Sequence, residues 1–257
     1  MNTGKKTGIA LAWVVCLATV ANALPLTWDG GGADNNWNTG DNWDGTPPSD
    51  GDALFFGFAV RTLTTNDLAA STRFTAYTFT NGAPSFTNSG NTIVLDGDIA
   101  NNSTSLQTIG HDIVLTNAPR TINVGPGCRL TIGGVISGAE SLTKTNSGTL
   151  ILNNNAVANT YAGDTIISGG TLSLTNAAVA GGTNKLASTT VYVNPGATLH
   201  LGSGAQFNWG SGTPAVVLDG GTLAMSDGQY NYIKKITMTN GATWALGTGS
   251  TINGLTG

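Results

Sequence analysis

The feature that most constrains this chain is a short phrase that returns at nearly regular intervals. The phrase occurs as "SGTLILNN", "GGTLSLTN", "PGATLHLG", "GGTLAMSD" and "NGATWALG". Its first large apolar residue is in turn Leu150, Leu172, Leu199, Leu223 and Trp244, so the copies follow one another after 22, 27, 24 and 21 residues. A poorer copy around Leu130 lies 20 residues further upstream. Self-similarity at this period predicts an architecture of stacked repeats.

Each copy has the pattern expected of one coil of a parallel β-helix. In "GGTLSLTN" the residues Leu172 and Leu174 alternate with Thr171 and Ser173, which is the period-two pattern of a strand with one buried face. A single coil cannot bury its apolar side, so stacking would join the marker residues into one interior column. The column predicted in this way contains Leu130, Leu150, Leu172, Leu199, Leu223 and Trp244. A β-sandwich is the competing fold, but its longer strands and hairpins would not repeat a phrase in register.

Composition supports an all-β chain with a substantial core. Of 257 residues 37 are Gly and only 9% are charged, whereas 40% are apolar. Helix-like spacing of apolar residues is scarce outside the N-terminus. The dipeptide Thr-Asn follows several strands, as at Asn117, Asn176 and Asn240. Because Asn tolerates the left-handed backbone conformation, we expect these residues at the corners of the coil.

The N-terminal residues divide into two segments that precede the coil. Residues 1–23 hold Lys5 and Lys6, a 13-residue apolar run and the motif Ala21-Asn22-Ala23, which together predict a cleaved secretory signal peptide. Residues 24–57 are rich in Asp and contain Trp28, Trp37 and Trp43. An open first coil would expose its interior, so this segment is predicted to be a cap. The β-helix is then expected to span residues 58–257, with a C-terminus that is incomplete.

Charge and cysteine content exclude several classes of function. Removal of Lys5 and Lys6 lowers the Lys and Arg count from 10 to 8 against 14 acidic residues, which gives a net charge of about −6. A basic footprint for phosphate groups is missing, which argues against a nucleic-acid partner. Cys128 is the one cysteine after the signal peptide, so no internal disulfide can form. The chain has no second apolar run long enough to span a membrane.

The sequence offers no convincing catalytic or metal-binding group. Asp96 and Asp98 are the best-placed pair of carboxylates, but we expect them to be turn residues. The two histidines, His111 and His200, are expected on the solvated surface and lack ligand partners for zinc. Nucleotide-binding and nucleophile-elbow motifs are missing. We therefore predict no catalytic residues, no metal, no cofactor and no enzymatic activity.

Two features keep a binding role open. Six aspartates cluster in the predicted cap and could offer oxygen ligands to calcium, although a solvated polar surface is the favoured interpretation. They are Asp29, Asp34, Asp41, Asp44, Asp50 and Asp52. The aromatic residues Trp209, Tyr230 and Tyr232 lie between predicted strands and are candidates for contact with carbohydrate.

Three stretches of the chain resemble one known family. They are the opening "TWDGGGADNNWNTGDNW" followed by "GDALFFG", the linking "LDGDIANNSTSLQTI", and residues 133–176, "GGVISGAESLTKTNSGTLILNNNAVANTYAGDTIISGGTLSLTN". Together they are similar to the autotransporter-associated β-strand repeat proteins. The resemblance implies a right-handed β-helix that is displayed on, or shed from, a Gram-negative type of cell. It implies no catalytic residues. Family members often end in an outer-membrane barrel or a sorting segment, and neither follows "TINGLTG" here.

These observations predict an exported, non-catalytic passenger segment or surface scaffold with an adhesive role. The alternative is a β-helix that binds or cleaves carbohydrate, because many polysaccharide lyases and glycosidases share this fold. The expected location is extracellular or at the cell surface, with attachment to the outer membrane if the full-length protein carries an anchor. The expected partners are a surface polysaccharide, another surface protein, or a second copy that pairs with the open C-terminal coil.

Overall fold

Short parallel strands connected by tight corners make up nearly all of the regular structure. A computed structural model describes residues 23–154, 157–175, 185–207 and 213–253, so the predicted signal peptide lies outside the described residues except for Ala23. In chain order the strands are β1 (Pro25–Trp28), β2 (Asp52–Phe56), β3 (Leu63–Asn66), β4 (Thr72–Phe79), β5 (Thr87–Gly90), β6 (Ile93–Asn101), β7 (Leu106–Ile109), β8 (Ile113–Leu115), β9 (Arg120–Val124), β10 (Arg129–Ile132), β11 (Ile136–Gly138), β12 (Leu142–Thr145), β13 (Thr149–Leu152), β14 (Thr165–Ile167), β15 (Thr171–Leu174), β16 (Thr190–Val193), β17 (Thr198–Leu201), β18 (Ala215–Asp219), β19 (Thr222–Met225), β20 (Tyr230–Tyr232), β21 (Ile236–Thr239), β22 (Thr243–Leu246) and β23 (Thr251–Asn253). One 3-10 turn lies at Gly40–Asn42.

The strands form a solenoid with two long sheets and a third, shorter side. The first sheet has 12 strands and runs from β1 through β2, β4, β6, β9, β12, β14, β16 and β18 to β21, with β8 and β11 attached through β6. The second sheet has nine strands and runs from β3 to β22. The third side holds the separate pair β20 and β23. The predicted all-β parallel coil is therefore confirmed, while its right-handed sense stays a prediction.

The repeated phrase lies on the second sheet, and its marker residues align from coil to coil. Leu130 pairs in register with Leu150, and Leu150 with Leu172. The series continues through Leu199 and Leu223 to Trp244. The five leucines have no exposed surface, whereas Trp244 is partly buried. Stacking of identical side chains at each level removes apolar surface from water that one coil alone would expose.

Asparagine residues turn the corners of the coil. Asn117, Asn146 and Asn240 have positive φ angles of 67°, 65° and 52°. The expectation for Asn117 and Asn240 is thereby confirmed, whereas Asn176 lies outside the described residues. The side chain of Asn146 also donates a hydrogen bond of 3.3 Å to Oδ1 of Asn123, on the preceding coil. A single residue type thus supplies both the backbone conformation and a bond between coils.

A cluster of buried aromatic rings fills the N-terminal end of the coil. Trp28, Trp37 and Trp43 have no exposed surface, and their ring centroids lie 5.1 and 5.6 Å apart in edge-to-face contacts. Trp37 also packs against Phe56 and Phe74 at 5.7 and 6.1 Å. The cluster covers the interior at this end, as a cap would. Strands β1 and β2 both lie within residues 24–57 and already pair in the first sheet. The boundary between cap and β-helix at residue 57 stays a prediction.

Candidate functional site

Two tyrosines of β20 face outward together on the third side of the coil. Tyr230 is 52% exposed, Asn231 is fully buried and Tyr232 is half-buried, as expected for a strand whose side chains alternate between faces. Tyr230 pairs in register with Thr251 of β23, and Tyr232 with Asn253. These four outward residues form what we call the tyrosine platform. Trp209, the third aromatic candidate from the sequence, lies outside the described residues.

The buried residues next to the platform fix the position of its strand. The side-chain oxygen of Asn231 accepts hydrogen bonds of 2.7 and 3.2 Å from the backbone N–H groups of Gln206 and Phe207. Ile233, two residues further on, has no exposed surface. The strand is therefore held by Asn231 and Ile233, while the ring of Tyr230 remains 52% exposed.

A buried lysine stands in the apolar interior of the first sheet. Lys144 is 1% exposed and aligns with Ile122 on one side and Ile167 on the other. Its Nζ atom donates hydrogen bonds of 2.7 Å to the carbonyls of Thr145 and Asn146 and one of 3.1 Å to that of Gly169, on the next coil. Burial lowers the pKa of Lys144 to about 8. The three carbonyl acceptors favour the ammonium form, so Lys144 is a charged clamp between two adjacent corners.

Comparison with known families identifies the segment that contains this lysine. The model of the passenger-associated transport repeat matches residues 142–174. The chain carries an autotransporter passenger repeat. The matched residues run from β12 to β15 and include Lys144, Leu150 and Leu172. The resemblance to the autotransporter-associated β-strand repeat family is thereby confirmed. Comparisons with curated proteins and with solved structures find no match.

The match to the passenger repeat indicates where the protein is located. Autotransporter passengers are extracellular or lie at the cell surface, and the family match implies the same for this chain. In the described part of the chain, no helix has both the length and the apolar character needed to cross a bilayer. The passenger repeat family is not known for catalysis.

The predicted surface position of His111 is corrected by the structure. His111 is 2% exposed and lies among the aromatic rings of the N-terminal cluster, 5.7 Å from the ring of Trp37. Its Nε2 atom is 3.4 Å from the hydroxyl of Tyr77, and burial lowers the pKa of His111 to about 4. Local sequence patterns do not indicate this position, because the rings around His111 come from residues far from it in the chain.

His200 faces outward as predicted but is bonded rather than freely solvated. Its Nδ1 atom is 2.8 Å from Oγ of Ser173, and its Nε2 atom is 3.1 Å from Oγ of Ser226. Partial burial lowers the pKa of His200, so its neutral form prevails at pH 7. A serine beside a neutral imidazole is one element of a nucleophilic site, but Ser173 is itself 6% exposed and the orienting group is another serine rather than a carboxylate. This row of side chains joins three successive coils of the solenoid.

The carboxylates singled out as a pair have separate structural partners. Asp96 accepts hydrogen bonds from Thr116 and Asn117 and forms an ion pair of 3.1 Å with Arg73. Burial tends to raise the pKa of Asp96, but the hydrogen bonds from Thr116 and Arg73 outweigh it and hold the pKa below its usual range. Asp98 accepts the backbone N–H of Thr121 at 2.8 Å. Both residues lie within β6 rather than in a turn, so that prediction is wrong, and each carboxylate instead bonds a residue of a neighbouring coil.

The acidic residues of the N-terminal segment mainly stabilise its loops. Oδ1 of Asp34 accepts the backbone N–H of Asn36 at 3.0 Å, and Asp52, 3% exposed, accepts those of Leu24 and Ser49 at 3.0 and 2.8 Å. Across residues 23–154, 157–175, 185–207 and 213–253, no group of three or more His, Cys, Asp and Glu side chains is placed to share a metal ion. Five of the six aspartates in this segment are exposed but are not placed to share a metal ion, whereas the tyrosine platform presents two neighbouring outward side chains on one strand.

Proposed function

We propose that this chain is an exported, non-catalytic passenger scaffold that binds carbohydrate through its tyrosine platform. The observation that carries the proposal is the pair of outward tyrosines on a rigid parallel coil. A sugar ring has an apolar face of C–H groups and a polar rim of hydroxyls. Aromatic rings can cover the apolar face, while neighbouring hydroxyl and amide groups bond the rim.

The composition of the platform suits such a ligand. Tyr230 and Tyr232 offer ring surface, and Thr251 and Asn253 of the adjacent strand offer a hydroxyl and an amide. Parallel strands lie about 4.8 Å apart, so one sugar residue can touch both rows. Because strands hold these side chains in place, little conformational entropy is lost on binding.

The proposal also includes the location of the protein, which is exported and displayed at the cell surface. The passenger repeat at residues 142–174 supports a location outside the cell, where polysaccharides of the cell's own surface or of its surroundings are available. A coil of this kind holds its outward faces in a fixed relation, which suits adhesion. Attachment to the outer membrane would depend on an anchor elsewhere in the full-length protein.

Substitution of the exposed tyrosine tests the carbohydrate proposal. Tyr230→Ala should weaken binding of residues 24–257 to a polysaccharide up to about tenfold, because one aromatic contact contributes roughly 0.5–1.5 kcal/mol. Affinity electrophoresis in gels that contain xylan, dextran, alginate or polygalacturonate measures the change. Stability should hardly change, since Asn231 and Ile233 hold the strand.

Tyr192 provides the matched control. It also faces outward, is 37% exposed, and lies on β16 in the first sheet, away from the platform. Tyr192→Ala should therefore leave binding unchanged. Equal losses in both variants, or failure of the unmodified protein to bind any of the four polymers, would refute carbohydrate binding by the platform.

A further inference from the structure

We infer that the coil binds one small monovalent anion, of the size of chloride, beside the buried ammonium group of Lys185. This inference goes beyond the proposed carbohydrate binding and does not depend on it. It comes from a contrast between the two buried lysines of the described residues.

Lys144 and Lys185 are equally buried but differ in what surrounds their ammonium groups. Their side chains are 1% and 0% exposed. Nζ of Lys144 donates hydrogen bonds to three backbone carbonyls. Nζ of Lys185 has no hydrogen-bond acceptor among the residues that the structure describes. A buried ammonium group without an acceptor is strongly unfavourable, so its charge has to be compensated or lost.

Hydrogen bonds to two neighbouring coils hold the backbone of Lys185. Its N–H donates a bond of 2.9 Å to the carbonyl of Gln206, and its own carbonyl accepts two bonds of 3.1 Å from the backbone and side-chain amides of Asn159. The next residue, Phe207, accepts the N–H of Tyr232 at 3.0 Å, so Lys185 lies on the third side of the coil, below β20. Asn159 and Gln206 are themselves buried. The buried side chains are therefore polar at this level.

The chain supplies no carboxylate to compensate this charge. All 14 acidic residues lie within the described residues, where the recorded ion pair joins Arg73 to Asp96. The acidic residue nearest to Lys185 in sequence is Asp164, whose Oδ1 accepts hydrogen bonds of 2.8 and 3.2 Å from Thr189 and Thr190. A counter-charge for Lys185 therefore has to come from solution.

Loss of the proton is the alternative to a counter-ion. Burial lowers the pKa of Lys185. The ordinary pKa of a lysine side chain is about 10.4, so a neutral amine at pH 7 would require a very large fall. An anion that pairs with the ammonium form removes this requirement.

The position of Lys185 determines the class of anion. Because the side chain has no exposed surface, the ion has to be small enough to enter the interior, which excludes polymers and bulky carboxylates. One negative charge matches one ammonium group, whereas a divalent ion would leave a second buried charge without compensation. The ligand expected here is therefore a halide or an ion of similar size.

Thermal unfolding of residues 24–257 in chloride and in methanesulfonate, at equal ionic strength, tests the inference. An ion that binds only the folded state raises the melting temperature, by about 2–4 °C when its concentration exceeds the dissociation constant several-fold. Methanesulfonate has the same charge but is too large for the site. Chloride should therefore stabilise the unmodified protein relative to methanesulfonate.

The two buried lysines provide a matched pair of variants. Lys185→Met should abolish the difference between chloride and methanesulfonate, because it removes the charge that binds the ion. Lys144→Met should lower the melting temperature in both salts, because three carbonyls lose their donor, but it should keep the chloride effect. Crystals of the unmodified protein grown with bromide should show an anomalous peak beside Nζ of Lys185, a readout that holds even if Lys185→Met fails to fold.

Several outcomes would overturn the inference. Equal melting of the unmodified protein in the two salts would mean that Lys185 is buried as a neutral amine. A chloride effect that persists in Lys185→Met would place the ion elsewhere. Crystals without a bromide peak beside Nζ would exclude the site, and a peak there without any chloride effect on melting would be an adventitious ion only.

Discussion

At the scale of single residues, two polar side chains of this core are held by hydrogen bonds to the backbone. Lys144 meets three carbonyls at a corner, and Asn231 bonds two backbone N–H groups. His111 is different, because its ring lies among aromatic side chains and its nearest side-chain partner is the Tyr77 hydroxyl at 3.4 Å. A charged imidazole would be poorly solvated there, so the folded state favours the neutral form.

The burial of His111 predicts a loss of stability in mild acid. Its pKa is about 4 in the folded protein and about 6.5 in the unfolded chain, so between these values only the unfolded chain takes up the proton. The free energy of unfolding should be independent of this group above pH 6.5 and should fall below it, by at most about 1.4 kcal/mol per pH unit. Urea melts between pH 4 and 7.5 measure the slope. His111→Gln should remove most of it, whereas His200→Gln should remove little, and the reverse ranking would contradict the burial of His111.

Sequence periodicity could locate the leucines but not His111 or Lys144. The period-two rule applies within one strand, so it identifies the inward face of "TLSL" from local information. The neighbours of His111 include Trp37 and Tyr77, which belong to earlier coils, and nothing local records that proximity. Lys144 does occupy an inward position of its strand, but a lysine there is expected to face water until the three carbonyls of the corner are known.

At the scale of strands, the repeat period determined most of the fold. Each copy of the phrase became a strand of the second sheet, in register with the copies before and after it. The aromatic cluster could be anticipated only as a cap, since the contacts of Trp37 with Phe56 and Phe74 depend on how the first coils stack. The prediction that Tyr230 and Tyr232 lie between strands is wrong, because both belong to β20, where a spacing of two residues places them on the same face.

Adjacent residues of β15 provide the sharpest test of a strand. Leu172 is fully buried between Leu150 and Leu199, whereas Thr171 faces the outer side of the same strand. Leu172→Asn should lower the free energy of unfolding by about 2 to 5 kcal/mol, because it leaves a cavity and buries an amide without partners. Thr171→Asn should be nearly neutral. Urea melts of the two variants give the comparison, and equal destabilisation would rule out the inward column.

At the scale of the whole molecule, the two ends of the coil differ. The N-terminal end is filled by buried tryptophans. In the last described coil, Met238 and Leu246 occupy inward positions yet are 42% and 39% exposed. Strands β21, β22 and β23 each pair with a preceding strand, and the described residues place no strand on their other side. Unpaired edges of this kind recruit further strands.

We therefore propose that a protein made of residues 24–257 associates with a second copy through its C-terminal coil. Deletion of Thr243–Gly257 would expose the preceding strands instead, so association should persist. A polar capping segment added after Gly257 should abolish it. Light scattering of the three proteins measures the effect. A monomer at high concentration, with slow hydrogen exchange in β21 and β22, would mean that the end is already protected.

The most direct test of a binding scaffold without catalysis is to measure binding and product release in the same samples. Residues 24–257 should be incubated with pectin, alginate and xylan, with and without Ca²⁺, followed by assay of bound protein and of released unsaturated or reducing sugar. A scaffold of the proposed kind binds at least one of these polymers, loses that binding with Tyr230→Ala, and releases no product in any mixture. Release of product that disappears with Asp96→Asn or Asp98→Asn would contradict it and would establish a carbohydrate-cleaving β-helix instead.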